Sequence, residues 1–140
     1  FYIDAPSYYA MKVLKFEYDL LKLLRKFSNI EVFYKIHPDR IKEAKNIFDN
    51  FCKKVVYEKF EKIYSNYDVI LLPTPFSTIL GLSLETKKKI ILINTKEIKW
   101  FKEDLNKIKK KCFIVNADLE NANFMINKSS LKKTILKIIK

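Results

Sequence analysis

Residues 68–94 read DVILLPTPFSTILGLSLETKKKIILIN. Asp68 to Leu72 is an apolar run of strand length, the kind buried on both faces of a parallel sheet. Pro73-Thr74-Pro75 stops it, because proline brings no N–H to a ladder. A helix is predicted from Phe76 or Ser77 to Thr86, and Lys89 to Asn94 is a second buried strand. Strand, loop, helix and strand in this order make a β-α-β unit, whose two strands lie parallel.

The same alternation extends in both directions. Upstream, Phe1 to Asp4 reads as a strand and Ala5-Pro6-Ser7 as a turn. Val13, Phe16, Leu20, Leu21, Leu24 and Phe27 recur at helical spacing. Ser28-Asn29 breaks that helix, and Ile30 to Ile36 is a β-rich strand closed by His37-Pro38-Asp39. Ile41, Ala44, Ile47, Phe48 and Phe51 mark a helix, Lys54 to Tyr57 a short strand, and Phe60, Ile63 and Tyr64 a short helix. Downstream, Asn94 and Glu97 resemble a capping box ahead of a helix through Ile98, Phe101, Leu105 and Ile108. Cys112 to Val115 is the last strand expected, Asn116 to Asn127 a loop or a short turn of helix, and Leu131, Ile135, Ile138 and Ile139 a closing helix. The expectation is an α/β chain with a doubly wound parallel sheet of about six strands, Rossmann-like, in a single domain over residues 1–140.

A chain of 140 residues suffices for one domain with a hydrophobic core. No apolar run approaches the eighteen or so residues a membrane span requires. The net charge of +12 favours anionic partners, but the lysines are dispersed and the only arginines are Arg25 and Arg40. Without an arginine cluster or an aromatic-lined groove, no nucleic-acid partner is expected. Cys52 and Cys112 lack metal or disulfide spacing and suit small core positions in a reducing, cytoplasmic compartment. A strand beginning at Phe1 leads us to expect a longer protein upstream.

Ligands of open α/β sheets bind beyond the carboxyl ends of the strands. No glycine-rich phosphate loop is present, since the only glycine, Gly81, falls inside a predicted helix. His37, the only histidine, ends a strand ahead of Pro38, which pushes it toward extended geometry over the strand tip. There an imidazole could meet a phosphate, and a half-buried loop histidine would suit the position equally. Ser77 and Thr78 open a helix, where free N–H groups and hydroxyls bind phosphate. The same serine suits a plain N-cap. Glu58 follows the third strand, placed either to accept both hydroxyls of a ribose or simply to be solvated.

Tyr34-Lys35-Ile36-His37-Pro38 resembles the His-Pro motif of bacterial sialyltransferases with the two-domain GT-B fold. Pro75-Phe76-Ser77-Thr78, about forty residues on, resembles their second motif, a Ser-Ser or Ser-Thr pair. Tyr2-Ile3-Asp4-Ala5-Pro6 and the helix after it are similar to the segment before the His-Pro motif in glycosyltransferase family 52, the lipooligosaccharide sialyltransferase type. Transferases of Kdo and of glycerophosphate carry comparable motifs, and these relatives mostly use donors activated with CMP or CDP.

The resemblance implies the C-terminal, donor-binding domain of a glycosyltransferase that moves a CMP-activated sugar to a surface glycan such as lipooligosaccharide or capsule. It implies that His37 contacts the donor phosphate and that Ser77 and Thr78 bind the same group. Glu58 would take the ribose hydroxyls, and Lys35 or the backbone near Ile36 and Pro38 would lie by the cytosine. No cofactor and no metal are expected. The family's acidic-Gly motif does not occur here, which leaves Asp4 as the only general-base candidate in the chain and points to a separate amino-terminal acceptor domain. The expected partners are the CMP-sugar, a glycan acceptor on a lipid carrier and a second copy of the chain. The expected location is cytoplasmic and peripheral on the anionic inner membrane. A non-catalytic α/β binding module is the alternative.

Overall fold

A computed structural model describes residues 5–44, 46–75, 78–95, 99–120 and 123–140. The expected first strand, Phe1 to Asp4, and Glu97 of the capping box lie outside them. The fold is mixed α/β, with parallel strands in two sheets of two and four strands. The chain divides into two compact units, residues 1–60 and 61–140.

The first unit begins with helix α1, Ala5–Leu24. The expected turn at Ala5-Pro6-Ser7 is the first turn of this helix, where proline's missing N–H costs nothing. Strands β1 (Phe33–Lys35) and β2 (Lys54–Val56) pair in parallel, with Phe33 opposite Lys54 and Lys35 opposite Val56. Between them a 3₁₀ turn, Pro38–Arg40, leads into α2, Ile41–Ala44. The long helix expected through Phe51 is cut short. Asn46 takes a left-handed conformation (φ 67°), which asparagine tolerates and a continuing helix does not. That turn delivers Phe48 to the core, where it joins Leu21 and Ile36 under Tyr18, Tyr34 and Phe51. The Tyr18 and Phe51 rings meet edge to face at 4.7 Å, and Tyr34 lies 4.4 Å from Phe48 between centroids.

The second unit opens with a short helix, α3 (Phe60–Ile63), which begins on the last residue of the first. Its sheet runs β3 (Val69–Leu72), β4 (Lys89–Asn94), β5 (Cys112–Glu120) and β6 (Asn123–Ile126). The first three are parallel, and α4 (Thr78–Glu85) and α5 (Lys102–Lys111) are the crossovers. Ile90 to Ile93 of β4 are all buried, which confirms a central strand covered on both faces. The closing helix α6 (Lys128–Ile139) buries Leu131, Ile135 and Ile138.

Asn116 to Asn127 is neither loop nor helix. β5 continues past its last pair with β4, Asn94 to Asn116, and turns back through β6 as an antiparallel hairpin. A doubly wound sheet of six strands is therefore matched in its alternation and its parallel core, and differs in this antiparallel end and in the separate two-stranded sheet.

Helix carboxyl ends gather at the amino-terminal edge of the four-stranded sheet, and lysines satisfy their last carbonyls. Lys111 Nζ donates to the Leu84 carbonyl at 2.7 Å and Lys89 Nζ to that of Ile138 at 2.9 Å. Lys88 Nζ donates to Ser65 at 2.9 Å. No helix among the described residues is long and apolar enough to cross a membrane.

Candidate ligand site

Parallel pairing of β1 with β2 sends both chains out of the sheet side by side. The Ile36 N–H donates to the Val56 carbonyl at 3.1 Å, which carries the register one step past the strands. His37 and Glu58 consequently each stand, exposed, two residues past the carboxyl ends of adjacent strands. Lys35, Ile36, His37, Pro38 and Glu58 thus lie at or just past these two strand ends, all in the first unit, with Lys35 near the Glu58 carboxylate.

His37 has the extended backbone that Pro38 demands, with φ −70° and ψ 135°. Its side chain is 60% exposed. Nδ1 accepts the Asp39 backbone N–H at 3.2 Å and caps the 3₁₀ turn. An accepting Nδ1 leaves the neutral ring's proton on Nε2, so that nitrogen is a donor. The Asp39 carboxylate lies 3.6 Å from the same Nδ1, a distance that becomes an ion pair only when the ring takes a second proton. The half-buried alternative for this histidine is set aside by its exposure.

Glu58 is exposed, and its carboxylate accepts the Tyr57 N–H at 3.1 Å. Hydrogen bonds from its own and the Tyr57 backbone N–H, with Lys54 and Lys35 nearby, hold this carboxyl below the usual range. It is an ionised acceptor suited to hydroxyl donors. Lys35 Nζ donates to the Ile36 carbonyl. Ile36 itself is fully buried, its N–H held by Val56 and its carbonyl by Lys35, so no part of it is exposed to a ligand.

A buried cluster that the sequence reading passed over fixes this loop. Arg40 makes a two-pronged ion pair with Glu17 of α1, Nη1 to Oε1 at 3.2 Å and Nη2 to Oε2 at 3.0 Å. The Tyr34 hydroxyl donates to the same carboxylate at 2.8 Å. Glu17 is 7% exposed. One signal was available: Glu17 stands four residues after Val13 and four before Leu21, on the apolar stripe of α1. The cluster joins α1, β1 and the turn after His37, and so sets where His37 stands.

Burial, and then the Glu17 carboxylate beside it, raise the Tyr34 hydroxyl far above its ordinary value of 10.0. Its folded pKa exceeds the unfolded one, so the stability it contributes is complete below about pH 10 and is lost as pH rises further. Urea midpoints measured from pH 8 to pH 11 are expected to fall, and to fall less steeply in Tyr34→Phe.

In the second unit, Thr78 is the exposed first residue of α4 after buried Pro75. Ser77 lies outside the described residues, as does Asp4. At the carboxyl ends of β4 and β5, Asn94 Nδ2 donates to Asn116 Oδ1 at 3.3 Å and Trp100 Nε1 to Asn94 Oδ1 at 3.4 Å. Thr95 beside them is only 3% exposed. Cys112 is buried, Cys52 donates to the Phe48 carbonyl at 3.3 Å, and burial raises both thiols. Among the described residues no group of three or more His, Cys, Asp or Glu side chains could hold a metal ion. No family model, no curated protein and no solved structure matches the chain.

Proposed function

We propose that the chain is the donor-binding part of a glycosyltransferase using a CMP-activated sugar of the sialic acid kind. The observation that carries this reading is the placement of His37 and Glu58, each two residues past the end of one strand of the parallel β1–β2 pair. A donor N–H and an ionised carboxylate following neighbouring strand ends suit a nucleotide's two polar ends, the phosphate and the ribose hydroxyls. The resemblance of the His-Pro and Ser-Thr motifs to those of family 52 sialyltransferases supports the same reading, and with it a Rossmann-like, GT-B type donor domain. Transferases of Kdo or glycerophosphate share the cytidine nucleotide.

In this mechanism the bond from the sugar's anomeric carbon to the phosphate breaks, and CMP leaves with added negative charge. His37 donates Nε2–H to a phosphate oxygen and stabilises that charge as it develops. By the resemblance, the hydroxyls of Ser77 and Thr78 are assigned to a donor phosphate. Glu58 accepts from the ribose hydroxyls, and Lys35 adds positive charge on this side. The acceptor hydroxyl gives its proton to a base that we place in an acceptor domain, with Asp4 as the in-chain candidate.

Calorimetry with CMP tests the reading. His37→Ala is expected to weaken binding about tenfold, the usual worth of a hydrogen bond to a charged group. Removing the ribose 2′-hydroxyl should weaken binding to the wild type and leave binding to Glu58→Ala unchanged. A wild-type chain that binds neither CMP nor CDP, or binds both equally well without His37, sinks the proposal.

A further inference from the structure

Lysine is not spread evenly over the fold. Residues 61–140 hold 16 lysines against 8 carboxylates, a net +8 of the chain's +12. Within this unit the topology collects them. Lys87 to Lys89 immediately precede or begin β4, Lys109 to Lys111 precede β5, and Lys137 and Lys140 end α6. Ile90 is paired with Cys112, so the first two groups enter neighbouring strands at one edge of the sheet. The bond from Lys89 to the Ile138 carbonyl brings the end of α6 to the same edge. Against these eight lysines the edge holds Glu85 and Asp68.

Helix carbonyls account for Lys88, Lys89 and Lys111, and Lys137 lies over the Phe113 ring at 5.6 Å. Lys87, Lys109, Lys110 and Lys140 are exposed. Two large aliphatic side chains stand among them. Leu136 is 41% exposed and Ile139 39%, three residues apart on the flank of α6 beside the buried stripe of Leu131, Ile135 and Ile138. Exposed aliphatics ringed by lysines at a helix end match the boundary between lipid headgroups and acyl chains. A nucleic-acid backbone would use the charge and find no role for the aliphatics.

We infer that the amino-terminal edge of the four-stranded sheet docks on an anionic phospholipid bilayer, with Leu136 and Ile139 entering the headgroup boundary. The lysines supply attraction that salt screens, and the two aliphatics supply a part that salt does not. This inference stands apart from the sugar-transfer reading and survives its failure.

Sedimentation of the full chain with vesicles is the test, using phosphatidylglycerol mixed with phosphatidylcholine against phosphatidylcholine alone. Binding is expected only to the anionic vesicles. Lys87→Glu, Lys110→Glu and Lys140→Glu together should weaken it more than about 100-fold, about fivefold for each lysine lost near the surface and further for each carboxylate gained. Lys26→Glu, Lys42→Glu and Lys59→Glu make the same charge change in the first unit and should weaken it far less. Leu136→Gln with Ile139→Gln should weaken it about tenfold with an unchanged melting temperature. Should the charge reversals prevent folding, glutamine at Lys87, Lys110 and Lys140 serves instead, with a loss of roughly 100-fold. Equal losses from the two lysine triplets, an undiminished Leu136/Ile139 double variant, or no binding to anionic vesicles overturns the inference. So does a chain that binds duplex DNA through the same three lysines and ignores vesicles.

Discussion

Glu17→Ala should lower the stability of the protein by about 3 kcal/mol, because it leaves a largely buried guanidinium without its carboxylate. Arg40 loses both prongs of its ion pair and the Tyr34 hydroxyl loses its acceptor at once. Water can reach this site only in part, since the side chains of Arg40 and Glu17 are 19% and 9% exposed. The measurement is a urea midpoint at neutral pH, with the slope unchanged so that the shift reports stability alone. Substituting both partners, Glu17→Leu with Arg40→Met, should recover much of the loss, because no charge is then stranded. A single Glu17→Ala variant within about 1 kcal/mol of wild type would show that Arg40 swings into solvent and that the loop after His37 is not held from α1. The nucleotide readout separates the two roles: Glu17→Ala should weaken CMP binding by moving His37, whereas the double variant should retain it.

Phe48→Ala should cost about 3–5 kcal/mol, the range for deleting a fully buried aromatic ring. Phe48 is 0% exposed and is held against Leu21, Ile36 and the Tyr34 ring. None of these neighbours collapses easily into the gap. Ile36 is pinned by its backbone bond to Val56, and Tyr34 by its bond to Glu17. A unit of 60 residues has a small core and little stability in reserve, so the loss should show as cold-accessible or incomplete folding in this part of the chain. Chemical-shift spectra of Phe48→Ala would settle it, through loss of dispersion at Leu21, Tyr34 and Ile36. Phe48→Leu keeps most of the volume and should cost less than half as much.

What could be read from the sequence divides along physical lines. The β-α-β unit over residues 68–94 was plain, because Ile90 to Ile93 are apolar on both faces and proline marks the loop. His37 at a strand end followed from its neighbours, and so did its extended backbone. The hairpin over Asn116 to Asn127 was not legible. Its asparagines carry no strand preference, and the pairing exists only because each half supplies the other's partner. Helix α2 was overextended because apolar spacing through Phe51 does not register a left-handed Asn46. The division at residues 60 and 61 left no trace in composition, since it falls at the start of α3 and not in a linker. Glu17 was hidden for the opposite reason: a lone carboxylate within an apolar stripe looks like an interruption until its partner, 23 residues away in sequence, is in view.

The β5–β6 hairpin has a bearing on what can come near the four-stranded sheet. β5 runs four residues beyond its last pairing with β4, about 13 Å at the usual rise of a strand. The hairpin therefore extends past Asn94 at the carboxyl end of β4. At the other end Lys89 and Cys112 begin β4 and β5 level with one another to within a residue. The two ends of this sheet thus differ: two strands continue as a hairpin at one, and β4 and β5 begin level at the other.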